Sequence, residues 1–178
     1  MRWLLLCLIL CGGSGCASTS EFHRNRTLYV NVDANFLAHE MNGIRDGLTA
    51  WEDAVGNLSF VMSEQPHTTI LDLNNRVGDI VIMRNVDGAD ADCWSGPLGP
   101  RKFVGVHNEY RGMSYICMDA GYTNSHGARW RQLTMHEVGH ALRLQHASPP
   151  SVMTEMFKDI APTIQPKDVE AYKAANEH

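Results

Sequence analysis

Two histidines four residues apart with a glutamate between them, and a third histidine six residues on, constrain this chain more than any other feature. The segment reads Thr134-Met135-His136-Glu137-Val138-Gly139-His140, and His146 follows. Residues four apart on a helix face the same way. The imidazoles of His136 and His140 can therefore reach one zinc ion, at the bond length of about 2.0 to 2.1 Å that zinc makes with imidazole nitrogen. Glu137, rotated by one residue, addresses a water on that metal instead of the metal itself. An unbroken helix would turn His146 partly away, so the chain has to reverse after His140 to bring the third imidazole back. The competing readings are a pair of helix-surface histidines, or a third ligand drawn from a later carboxylate such as Glu155, Asp159 or Glu170.

The segments around this motif alternate between strand and helix character. Thr27 to Val32 is β-branched and aromatic, which predicts a strand. From Ala34 to Val55 the apolar residues Phe36, Leu37, Met41, Ile44, Leu48, Trp51 and Val55 recur at spacings of three and four, the pattern of an amphipathic helix ending near Gly56. Strands are expected at Leu58 to Met62, Asp79 to Met83, Phe103 to His107 and Ser114 to Met118, with a long Gly-, Pro- and Asp-containing loop over Asn85 to Arg101. The motif itself falls on a helix from about Ala128 to Leu144, and a last helix should begin at Pro166, a residue suited to a first helical turn, and run to about Asn176.

At 178 residues, 44% hydrophobic and 20% charged, the chain has the size and balance of one domain able to enclose a core. A formal net charge of -5, with no run of Lys or Arg, argues against nucleic acid as a partner.

With the order of elements in view, His136 to His146 resembles the metzincin family of zinc peptidases, whose pattern is HExxHxxGxxH followed by a Met-turn. Ser151-Val152-Met153 follows at the short distance seen in matrix metalloproteinases, and strand, helix, the further strands and motif helix come in the metzincin order. The resemblance implies an α/β (α+β) fold: a twisted mixed sheet, an active-site helix, and a short C-terminal subdomain ending in a helix. It divides residues 27–178 into an N-terminal subdomain, 27–146, and a C-terminal one, 147–178. It also implies zinc held by His136, His140 and His146, with Glu137 as general base and Met153 as an apolar floor; a plain core methionine is the other reading of Met153. Three protein ligands leave one position open for a water that Glu137 deprotonates, the proton later passing to the leaving amine. An extended protein or peptide substrate would lie along the edge strand, at Phe103, Val104, Gly105, Val106 and His107. Arg143 departs from the pattern, because it stands where the family has the glycine that permits a left-handed turn, and could cost about 1 to 2 kcal/mol. The alternatives are a catalytically idle zinc-stabilised envelope lipoprotein that binds a partner, and a hydrolase of cell-wall peptide crosslinks.

The N-terminus has its own logic. Met1-Arg2, the apolar run Trp3 to Cys11 and the small residues Gly12 to Gly15 form a signal peptide over residues 1–15, too short for the ~20 residues a membrane-spanning helix needs. Gly13-Ser14-Gly15-Cys16 resembles a bacterial lipoprotein cleavage box, with Cys16 the candidate for lipidation and residues 16–26 a tether. Ala17 after that cysteine would not hold such a protein at the inner membrane, so the expected address is the outer membrane or periplasm, or secretion if Cys16 is unmodified. Cys93 and Cys117 remain as a candidate disulfide in an oxidising compartment, worth about 3 to 4 kcal/mol in the chain-entropy model, with two buried thiols as the alternative. Asp87, Asp90 and Asp92 offer oxygen ligands that a calcium ion could use, against the simpler reading of a solvated acidic loop. His39, His67 and His126 read as surface residues or supports for the ligands, while His107 would border the cleft if it lies on the edge strand.

Overall fold

A computed structural model describes residues 26–66, 78–85, 105–110, 113–125 and 129–176. The signal peptide, Cys16 and the tether before Arg26, the aspartates 87, 90 and 92, Cys93, Phe103, Val104, His67 and His126 lie outside the described residues.

Strand β1 (Arg26–Asp33) buries Leu28, Val30 and Val32 on one face and leaves Tyr29 exposed, the two-residue alternation of a sheet with one covered face. Helix α1 (Ala38–Val55) buries Met41, Ile44, Leu48 and Trp51, as its periodicity requires. It begins at Ala38 and not at the expected Ala34, because residues 33 to 37 close a turn first. The Asp33 carboxylate accepts the Asn35 N–H at 2.9 Å, the Asp33 carbonyl accepts the Phe36 N–H at 3.2 Å, and the Glu40 carboxylate accepts the Leu37 N–H at 2.8 Å. Strand β2 (Leu58–Gln65) pairs in parallel with β1 along its whole length, three residues beyond the expected end. A parallel pair needs a crossover, and α1 supplies it.

Strand β3 (Ile80–Asn85) inserts between β1 and β5 (Met113–Asp119), parallel to both. Its near-continuous burial follows from being covered on both faces: Ile80 and Ile82 join the main core under the helices, while Val81 and Met83 pack with Met113 and Cys117 behind the sheet. Strand β4 (Gly105–Tyr110) runs antiparallel to β5 at the end of the order β2-β1-β3-β5-β4. It runs three residues beyond the expected end at His107, since pairing with β5 continues to Tyr110↔Met113, while the expected start at Phe103 lies outside the described residues.

A short helix α2 (Ala120–Ser125) follows β5 and was not expected, since its sequence AGYTNS shows no apolar period. Asn124 fastens it in place: its amide donates to Glu40 at 2.8 Å and its carbonyl oxygen accepts the Trp130 indole N–H at 2.9 Å. Arg84 of β3 grips the same buried Glu40 with two N–H groups at 2.7 and 3.1 Å. Helix α3 (Trp130–Ala141), shorter at both ends than the expected Ala128 to Leu144, packs on α1. The Trp51 indole donates to the Met135 carbonyl at 2.9 Å, and Phe36 meets Trp130 edge-on with centroids 5.7 Å apart. A 3-10 turn (Phe157–Asp159) and helix α4 (Pro166–Asn176) complete the chain. The fold is thus a mixed five-stranded sheet with helices on its main face, as the fold class expected. No described helix is long and apolar enough to cross a membrane.

Candidate metal centre

Helix α3 is buried nearly all round because it lies inside the molecule, between α1, the sheet and the C-terminal segment; His136 is 6% exposed and Glu137 4%. At Leu142 the helix stops. The Arg143 N–H bonds to the His140 carbonyl at 2.8 Å and the Leu144 N–H to the Gly139 carbonyl at 2.9 Å, with Arg143 at φ 70. This pair of bonds is the Schellman ending, whose left-handed residue is most often glycine. Leu142 and Leu144 are buried on either side of exposed Arg143, so the core fixes the reversal that glycine would otherwise ease.

The reversal brings His146 back to the helix. The Nε2 atoms of His136 and His140 are 3.2 Å apart, as are those of His140 and His146, and the ligand atoms of the three residues all lie within 4.8 Å of one another. Nitrogens bonded to one tetrahedral zinc at about 2.0 to 2.1 Å stand about 3.3 to 3.4 Å apart, so the spacing fits that ion. Hydrogen bonding supports the fit. His136 Nδ1 lies 2.8 Å from the Val152 carbonyl and His140 Nδ1 2.9 Å from the Leu144 carbonyl. A carbonyl only accepts, so each Nδ1 carries the proton and each Nε2 presents a lone pair. Lone pairs this close repel unless a cation lies between them. Glu155, Asp159 and Glu170, the candidate carboxylates, do not join the group among the described residues.

Electrostatics suits a cation as well. Burial, with the neighbouring His140 and His146, lowers the pKa of His136 to about 4 against the opposing Val152 carbonyl, so it is neutral and ready to ligate. Burial likewise lowers that of His140, with His146 adding to the effect. Glu137 goes the other way, pushed up to about 8 by burial. Gly105 of β4 lies directly against its carboxyl: a Cβ there would come within 2.8 Å of Glu137 Cδ. The edge strand therefore touches Glu137 only because residue 105 has no side chain.

Met153, 1% exposed, packs against helix α3 at Gly139, which makes room for it, since a Cβ there would run into the Met153 sulfur. Buried Asp168 of α4 organises this turn by accepting the Val152 N–H at 3.1 Å, the Gln165 N–H at 2.9 Å and the Ser151 hydroxyl. Ser151 Oγ in turn accepts the Met153 N–H at 2.8 Å. Val152 therefore connects Asp168, through its N–H, to His136, through its carbonyl. His107 of β4 lies beside His140, ring centroids 6.1 Å apart and planes 23° from parallel, and burial followed by His140 lowers its pKa. His39 is exposed and within 3.3 Å of the Asn124 carbonyl oxygen, on the far side of Glu40. Sequence reasoning missed Asp168, the contact of Gly105 with Glu137 and the two carbonyls, because neither a backbone acceptor nor a contact between distant segments has a local signature.

A model of the Matrixin family of peptidases (M10) matches residues 24–175. The chain belongs to the matrixin family. This matrixin is also 29% identical over 143 residues to matrix metalloproteinase-15 of Homo sapiens, an alignment covering 76% of this chain and 20% of that protein. It thus spans about a fifth of the length of the curated relative it matches. Cys117 of this matrixin is buried and disulfide-bonded, while Cys93, the expected partner, lies outside the described residues.

Proposed function

We propose that the chain is a zinc-dependent endopeptidase, with His136, His140 and His146 as the metal ligands and Glu137 as general base. The observation that carries this reading is the convergence of three imidazole Nε2 atoms, two of them committed as lone-pair donors by carbonyls behind them, beside a buried carboxyl. Zinc, when bound, supplies a Lewis acid and makes water a nucleophile near neutral pH. Glu137 accepts the proton of the attacking water at its carboxylate, the form that a cation beside it favours against the push of burial toward the neutral acid, and returns the proton to the leaving amine. Met153 and Gly139 hold the floor, and Asp168 holds the turn that orients His136. Strand β4, last in the sheet order and in contact with Glu137 at Gly105, is the natural line for an extended peptide to join the sheet.

The test is Glu137→Ala. Zinc content should stay at the parent value while cleavage of a broad peptide library falls by at least about 10³-fold, the scale expected when a general base is removed from such a site. A parent that binds zinc and cleaves nothing would leave the peptidase reading without support. The N-terminal segment supports a further proposal of export, with Cys16 lipidated at a bacterial envelope; Cys16→Ser should then move the protein from the membrane to the soluble fraction. Cys93 is proposed as the partner of Cys117, to be checked by peptide mapping without reduction.

A further inference from the structure

His107 is a half-buried imidazole that neither the metal group nor the proton transfer uses. It sits on β4 opposite Ile116 of β5, two residues from Gly105 and so on the same face of the strand. Gly105 on that face touches Glu137, and His107 packs beside His140, so this side of the edge strand runs along the helix from the carboxyl to the second histidine. His107 Nε2 is buried without a hydrogen-bond partner among the described residues. An orphaned buried nitrogen is destabilising, a cost that phenylalanine or leucine would avoid while filling the same space. Packing therefore does not account for an imidazole here.

We propose that His107 is a substrate-positioning residue whose ring gives an entering peptide a side-chain hydrogen bond beside Glu137 and His140. The inference rests on the peptidase reading. The residue as a whole is only partly buried, and rotation about its Cβ–Cγ bond exchanges ring nitrogens with ring carbons without changing the outline of the ring. A nitrogen hidden in the free protein thereby becomes available to a peptide backbone group arriving along β4. The bond adds a side-chain anchor to the backbone pairing that any strand could make at that edge, and it does so next to the reacting carbonyl. His140 already has Nδ1 and Nε2 committed, so His107 touches only the side of its ring and the ligand geometry does not depend on it.

The experiment uses the full chain loaded with zinc and the peptide that the parent cleaves best from an unbiased library. His107→Phe keeps the ring and its contact with His140 but removes both nitrogens; His107→Gln keeps a hydrogen-bonding group and gives up the ring. Loss of one neutral hydrogen bond predicts a KM about tenfold higher for His107→Phe. Its kcat should stay within about twofold, its zinc content should equal the parent's, and its thermal stability should be equal or higher because the orphaned nitrogen is gone. His107→Gln should recover most of the KM. A parental KM in His107→Phe overturns the inference, and so does loss of zinc from that variant, which would make His107 a support for the metal group. A parent that cleaves no peptide overturns the peptidase reading and this inference together, whereas an active parent with unchanged KM in both variants overturns this inference alone.

Discussion

At Arg143 the backbone is held at φ 70, a conformation that costs an L-residue about 1 to 2 kcal/mol, because burial of Leu142 and Leu144 and the two helix-ending bonds leave no other path to His146. Arg143→Gly removes that strain and gives back part of the gain through the unfolded chain's extra freedom, so a net stabilisation of roughly 0.5 to 1 kcal/mol is expected by denaturant titration. Zinc content should not change, since the turn keeps its shape. Gly105 is a case of space rather than backbone freedom. Gly105→Ala drives a methyl group into the Glu137 carboxyl, and a displacement approaching 1 Å should lower kcat on the order of 10²-fold while the histidines still hold zinc. Kinetics together with metal analysis on one preparation would check both halves. Of the candidate site residues, His136, Glu137 and His140 were legible from helical spacing and His146 from the family pattern; Gly105 was legible only as part of a substrate strand, and its contact with Glu137 was not, because the two lie 32 positions apart.

Among the elements, α4 has an effect on the site out of proportion to its distance in sequence. Asp168 accepts the N–H of Val152, the residue whose own carbonyl accepts from His136, so Asp168→Ala strands several buried donors at once. It should destabilise the fold by about 3 kcal/mol or more and weaken zinc binding 10- to 100-fold, which zinc competition against a chelating dye would measure. A second junction lies at the start of α1. Burial alone would raise the pKa of Glu40, but the Arg84 guanidinium, with the Leu37 N–H and the Asn124 amide, brings it below its ordinary value of 4.5. A depressed carboxylate stabilises the fold fully above that ordinary value and loses the contribution as pH falls through its lower folded value. Glu40→Gln should therefore cost stability at neutral pH, on the order of 3 to 5 kcal/mol for a broken buried pair, with the gap from the parent closing on acidification below about 4.5. Denaturation at a series of pH values measures it. The same junction explains why α2 was illegible and α1 was expected too early. Six small and polar residues, AGYTNS, become helical through Asn124's bonds to Glu40 and Trp130, and the turn at Asp33 delays α1 by four residues. These are tertiary contacts that a local pattern does not contain.

For the molecule as a whole, strand-type composition placed five strands, and the apolar period of α1, the histidine motif and Pro166 placed the three longer helices. The order β2-β1-β3-β5-β4 was not readable from it: β3 enters between β1 and β5, and strand partners depend on how chain crossovers pack, not on local composition. That order puts β4 last among the described strands, beside Glu137 and His140, where the proposed substrate strand would join the sheet. The central claim, that one zinc held by three histidines drives peptide hydrolysis, is tested most directly by titrating metal-free protein with zinc while following cleavage of a peptide substrate. Activity should be absent at the start, rise in proportion to added zinc and level off at about one ion per chain, the stoichiometry of a single three-histidine site. Hydrolysis by the metal-free protein, or full zinc binding with no hydrolysis, would contradict it.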